Sequence, residues 1–281
     1  MHITTLIEND SMQPTRIRRG AMAAATTFAV LLGGCAISTQ QEIEMGTQYA
    51  QQINAQLPIV SDPEVNRYVS VLGDSIAKLT SRGDLDWHFY IVDSREVNAF
   101  AVPGGFIYVN RGLIERATRM DELAGAIGHE IGHVVRRHSI KQMEKQQNAN
   151  VGVTLACVLT RVCESQAAQA AINVGATAVF ARYSREDEKE ADEEGVRNVM
   201  RAGIDPQGMV DLFRVLLDER QQRPAGVEAW FLTHPLEEDR IRDVSAQISQ
   251  INPAILKGLT KDSRAYQAFR DRLRNLPYTG K

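Results

Sequence analysis

The sequence predicts an α+β fold, mostly α, with one small β-sheet between helical runs. Aromatic and β-branched residues concentrate in two neighbouring stretches, "DWHFYIVDS" (86–94) and "VNAFAVPGGFIYVN" (97–110), the second broken at Pro103-Gly104-Gly105. They read as three short strands. On both sides of them apolar residues recur at helical spacing behind helix-start signals. The 281 residues, 43% of them hydrophobic, suffice for one sizeable core. Lys and Arg number 32 against 35 Asp and Glu, a formal charge of -3, so no field here would gather phosphates and nucleic acid is not an expected partner.

The N-terminal stretch differs from the rest. Arg16, Arg18 and Arg19 precede an uncharged apolar run, Ala21 to Gly34, that ends "LLGGC" at Cys35. This pattern reads as an export signal, too short to span a bilayer comfortably. Leu32, Gly33 and Gly34 before Cys35 resemble a bacterial lipobox, which implies cleavage before Cys35 and acylation of its thiol. Ala36 is not the aspartate that resembles an inner-membrane retention signal, so the periplasmic face of the outer membrane is the expected location, through a lipid anchor. A plain cleaved signal and a soluble periplasmic protein is the alternative. The expected organisation is a leader (1–34), a tether and helix (35–60), a main domain (61–251) and a polar tail (252–281).

Within the mature chain, Ile43, Tyr49, Ile53 and Leu57 mark a first helix, and Asp62-Pro63 opens a second. After the strands, Thr118 with Asp121 resembles a helix-starting box, followed at helical spacing by Leu123, Ile127 and Ile131. Residues 150–182 are rich in Ala, Val and Gly and nearly free of charge; they read as a helical hairpin, whether lid, lipid-leaning face or packed core. Cys157 and Cys163 lie in it, either as a disulfide or as two buried thiols; on one continuous helix six positions of separation would point them apart. Ser184 and Asp187 cap a further helix that Gly203 ends, Asp205-Pro206 begins another, and Pro235 one more through about Ile251.

The stretch "AIGHEIGHVVRRHS" (126–139) falls on the helix after Thr118. His129 and His133, four residues apart, differ by about 40° in azimuth and roughly 6 Å in height, so both imidazoles reach one ion. Glu130 sits at the same edge, where its carboxylate can polarise water. This is the His-Glu-x-x-His pattern of zinc peptidases, with the glutamate as general base. His138, nine residues from His129, falls about 180° around the helix, on the far face, and reads as a solvated or hydrogen-bonded surface histidine that cannot share the ion. Glu188 and Asp192 share a face of the helix that starts at Ser184. Glu188 is a candidate ligand there, and Asp192 a candidate to hold the outer nitrogen of a ligand histidine; a solvated acidic helix face is the bland alternative.

Four blocks in order, "VNAFAVPGGFIYVNRGLI", "DELAGAIGHEIGHVVRRH", "YSREDEKEAD" and "THPLEEDRI", resemble the gluzincin metallopeptidase family of the CAAX prenyl protease, HtpX, BepA and LoiP type. The resemblance implies a zincin domain with an active-site helix carrying the HExxH motif and one zinc ion per chain. It assigns His129, His133 and Glu188 as zinc ligands, Glu130 as base and Asp192 as the carboxylate behind a ligand. It also matches Asn98, Ala99 and Ala101 to the strand edge that pairs with extended substrate, and His234 and Arg240 to positions near the transition state. His234 is then either an oxyanion stabiliser or a gate on the ion's open position; on the residues alone it is equally a helix-start residue before Pro235. Without membrane-spanning helices or a tetratricopeptide domain, the chain is most similar in build to the compact lipoprotein LoiP.

These assignments imply a zinc metalloendopeptidase acting on unfolded or misassembled envelope proteins, alongside the outer-membrane assembly machinery. Two rival readings stand beside it: a lipid-anchored, chaperone-like binding protein whose zinc site is gated and inactive, and a zinc ion that serves only as a structural staple.

Overall fold

A computed structural model describes residues 36–148, 183–235 and 238–280. The leader, Cys35, and the stretch of 150–182 with Cys157 and Cys163 lie outside the described residues.

The three strands form as the sequence predicts: β1 (His88–Val92), β2 (Ala99–Val102) and β3 (Phe106–Asn110). Their order is β1-β3-β2, with β1 parallel and β2 antiparallel to β3. The turn from β2 to β3 needs left-handed backbone at Gly104 (φ 83°) and Gly105 (φ 104°), which glycine adopts without steric cost. Among the described residues β2 is an edge strand. Asn110 donates its N–H to the carbonyl of Asn98, and Ala99 stands opposite Val109 and Ala101 opposite Ile107. In an antiparallel ladder that register turns the N–H and C=O groups of Ala99 and Ala101 away from β3, toward the open edge.

Helix α1 (Thr39–Gln56) starts at a capping box formed by Ser38 and Gln41, and α2 (Pro63–Ala77) at the carboxylate of Asp62, which accepts the N–H of Val65. A short α3 (Arg111–Arg116) follows the sheet. The central helix, α4 (Met120–Val135), begins one residue after the expected position: its box uses Glu122, which accepts from the N–H groups of Thr118 and Arg119. Arg137, with φ 57°, ends that run and α5 (His138–Asn148) begins in a new direction. Beyond the undescribed segment, α6 (Arg185–Arg201) starts at the Ser184–Asp187 box and stops before Gly203 (φ 76°). α7 (Gln207–Gln222), α8 (Pro224–Thr233), α9 (Glu238–Ser249), α10 (Pro253–Leu256) and α11 (Arg264–Asn275) complete the described chain.

Every residue of α4 from Met120 to Val134 is buried. Its small residues allow that. A Cβ on Gly132 would lie 2.6 Å from the carbonyl oxygen of Ala191 on α6, and one on Gly125 would lie 2.7 Å from the Cα of Met209 on α7. The two backbones flank α4 closely, which brings the acidic face of α6 against the histidine face of α4. The C-terminal stretch, polar by sequence, also reaches the core: Tyr266, Phe269 and Leu273 of α11 are buried in the same cluster as Val65 and Val69 of α2. Among the described residues no helix is long and apolar enough to cross a membrane.

Candidate active site

Two histidines of α4, one glutamate of α6 and the residue that ends α8 converge. His129, His133, Glu188 and His234 each offer one donor atom, and these atoms all lie within 4.8 Å of one another. Nε2 of His133 is 3.1 Å from Nε2 of His129 and 3.4 Å from Oε1 of Glu188. Nδ1 of His234 is 3.3 Å from Nε2 of His129 and 3.1 Å from Oε1 of Glu188. All four residues are sealed from solvent. Such a set of imidazole and carboxylate donors suits zinc, and its tight convergence fits one ion.

The outer shell on one side is a carboxylate bound by arginine. Asp192 Oδ1 lies 2.8 Å from Nδ1 of His129. Arg240 of α9 donates to both oxygens of Asp192, at 2.8 and 2.7 Å, and also to Glu188. Burial alone would raise both carboxyls; the guanidinium of Arg240 and the facing histidines hold Glu188 well below the ordinary range and lower Asp192. Burial opposes charge on His129 as well, but its bonds to Asp192 and Glu188 raise it to about 9. Burial keeps His133 neutral, well below its usual value. An ion at these nitrogens competes with their protons.

Glu130 projects into the same pocket. Its carboxyl is fully buried, neither oxygen has a hydrogen-bond partner among the described residues, and burial raises its pKa. Nε2 of His234, also without a hydrogen bond among the described residues, is 3.3 Å from Oε1 of Glu130. Two buried carboxylate oxygens without a hydrogen bond, beside a cluster of ligand atoms, are groups that an ion and its water would satisfy.

The structure corrects the expected position of His138. It is not a surface residue on the far side of a continuous helix: the left-handed residue Arg137 breaks the helix, and His138 is fully buried with Nδ1 2.9 Å from Nδ1 of His133. Tyr183 and Trp230, which motif spacing did not point to, also build the pocket. Tyr183 stacks on His133 with ring centroids 3.9 Å apart, and Trp230 packs 4.9 Å from His234. Asn98, just before β2, and Ala99 and Ala101 on it are buried, and a small cavity is lined by both Ala101 and His133.

Residues 63–248, from the start of α2 to the last turn of α9, match peptidase family M48. The chain belongs to this family. Similar proteins include the beta-barrel assembly-enhancing protease of Escherichia coli (strain K12), 31% identical over 233 residues that cover 80% of this chain and 47% of that protein. The mitochondrial metalloendopeptidase OMA1 of Schizosaccharomyces pombe is 29% identical over 177 residues, 63% of this chain and 51% of OMA1. The metalloprotease LoiP of E. coli K12 is 24% identical over 249 residues, 82% of this chain and 96% of LoiP. Identity is therefore higher with the assembly-enhancing protease than with LoiP, against the expectation from overall build, although LoiP matches along almost its whole length. The chain spans about half the length of the assembly-enhancing proteases it matches.

Proposed function

We propose that this M48 chain is a zinc metalloendopeptidase that hydrolyses peptide bonds in misfolded or misassembled proteins of the bacterial envelope. The observation that carries the reading is the buried His129–His133–Glu188 constellation with Glu130 beside it, whose oxygens make no hydrogen bond among the described residues. When bound, zinc supplies Lewis acidity toward a carbonyl and toward water. Glu130, raised in pKa by burial, takes the proton of the attacking water and passes it to the leaving nitrogen. Asp192 and Arg240 hold His129 and Glu188 in place. Ala99 and Ala101 present outward main-chain groups to an extended peptide, with Asn98 at the start of that edge.

His234 brings Nδ1 into the same group of donor atoms as His129 and Glu188, which supports the gate over the oxyanion stabiliser. Substrate entry then requires His234 to leave. A lipid anchor at Cys35 would hold the domain at the outer membrane, and the name of the beta-barrel assembly-enhancing relatives supports substrates among outer-membrane proteins in assembly. A permanently closed His234 would make the same chain a zinc-holding, chaperone-like binder.

The test is Glu130→Gln. The variant should retain one zinc per chain and its thermal unfolding midpoint while casein cleavage falls by about 10²- to 10⁴-fold, the usual worth of a general acid–base group. Undiminished cleavage by this variant sinks the assignment.

A further inference from the structure

The two metal-facing histidines of α4 are backed differently. His129 rests on Asp192, whereas His133 rests on a third histidine, His138, that the catalytic reading does not use. Two imidazole nitrogens 2.9 Å apart share one proton: one donates and the other accepts. Nε2 of His133 faces the cluster, so as a ligand it carries no proton, and the proton of the neutral ring sits on Nδ1. That N–H points at Nδ1 of His138. His138 therefore accepts there and keeps its own proton on Nε2, which lies 3.3 Å from Oε2 of Glu190 and 3.7 Å from Oδ1 of Asp187. The direction of donation is fixed from the metal site outward, ending on carboxylates of α6.

The placement of His138 is built rather than incidental. Helix continuation would carry it away from His133, and only the left-handed turn at Arg137 (φ 57°) returns it. That turn is held from outside α4 and α5. Arg137 donates from Nε to buried Glu42 of α1 at 2.8 Å, and from its guanidinium to the carbonyl of Ile37. Glu42 also receives Arg82 at 2.7 Å and the N–H of Gly104 at 3.3 Å. Tyr183 closes the other side, stacked on His133 and in contact with Ser139 Oγ at 3.0 Å.

We propose that His138 is a positioning residue that fixes the tautomer and ring orientation of His133 for metal binding, through a turn at Arg137 seated on Glu42. The proposal rests on the metal-site reading above. It assigns His138 no contact with substrate. Outer partners of ligand histidines typically change metal affinity 10- to 100-fold when removed.

Two measurements test it. Nitrogen-15 spectra of the zinc-loaded wild-type protein should show His133 protonated at Nδ1 and His138 protonated at Nε2; a proton on Nδ1 of His138 in that state overturns the proposal, and this needs no mutation. Competition with a chelator then compares His138→Asn, which keeps an acceptor near the place of Nδ1, with His138→Leu, which has none. Zinc affinity should fall about 10- to 100-fold in the leucine variant and recover most of that loss in the asparagine variant. Equal weakening in both, or none in the leucine variant, overturns it. Wild-type protein that binds no zinc overturns the metal-site reading itself, an outcome separate from any effect at His138.

Discussion

His234 is the residue whose role depends most on where a single atom lies. Its Nδ1 stands 3.1 Å from Glu188 and 3.3 Å from His129, inside the donor cluster, while its Nε2 faces Glu130. As the proposed gate, a side chain in that place would compete with water for a bound ion and would screen the proposed base from substrate. It caps the end of α8 with extended backbone (φ -116°, ψ 91°), so its ring is carried by a helix end rather than by α4 or α6. Removing the imidazole should therefore open the site. His234→Ala is expected to raise basal casein cleavage severalfold in an endpoint assay while one zinc per chain remains bound by His129, His133 and Glu188. A fall in cleavage to the level of Glu130→Gln would show that His234 stabilises the transition state instead.

At the scale of elements, the site is the crossing of α4 and α6. Gly132, between Ile131 and His133, lets the backbone of Ala191 approach so closely that a methyl group would meet its carbonyl oxygen at 2.6 Å. Gly132→Ala must push α6 away from α4, and overpacking of this kind costs about 1–3 kcal/mol. Because Glu188 rides on α6, the same shift should weaken zinc binding, measured by chelator competition beside chemical unfolding. A variant with unchanged stability and zinc affinity would show that the crossing does not set the ligand geometry. Much of this crossing was legible in the residues: the i,i+4 spacing of His129 and His133 and the Ser184–Asp187 box place both ligand helices. His138 was not legible because helical azimuth assumes a continuous helix, and the break rests on Arg137, whose left-handed turn is held by contacts to Glu42 and Ile37 about 100 residues away in sequence. α8 escaped because "PAGVEAWFLT" is apolar on nearly every side and carries no helical period. The signal for α11 was present, Ser263 as a cap and Tyr266, Phe269 and Leu273 at helical spacing, but its arginines gave the stretch a polar look.

For the molecule as a whole, that last helix matters out of proportion to its length. Tyr266, Phe269 and Leu273 are buried in the main core, and Tyr68 of α2 stacks on Phe269 at 4.5 Å. The hydroxyl of Tyr266 donates to the carbonyl of Ala117 at 2.6 Å, at the loop that leads into α4. Farther on, Thr279 donates to Asp93, the same carboxylate that receives Arg111 at 3.0 Å next to the sheet. Burying three large apolar side chains is worth about 1.5–3 kcal/mol each, so their joint loss is of the order of 5–9 kcal/mol. That is comparable with the whole stability of an ordinary domain, about 5–15 kcal/mol. A chain ended at Ser263 should therefore lose its cooperative thermal transition and bind an apolar dye, and zinc binding should be lost with the fold, although every residue of the metal cluster is still present. Retention of a wild-type unfolding midpoint by the shortened chain would mean that the core closes over α2 and α3 without α11.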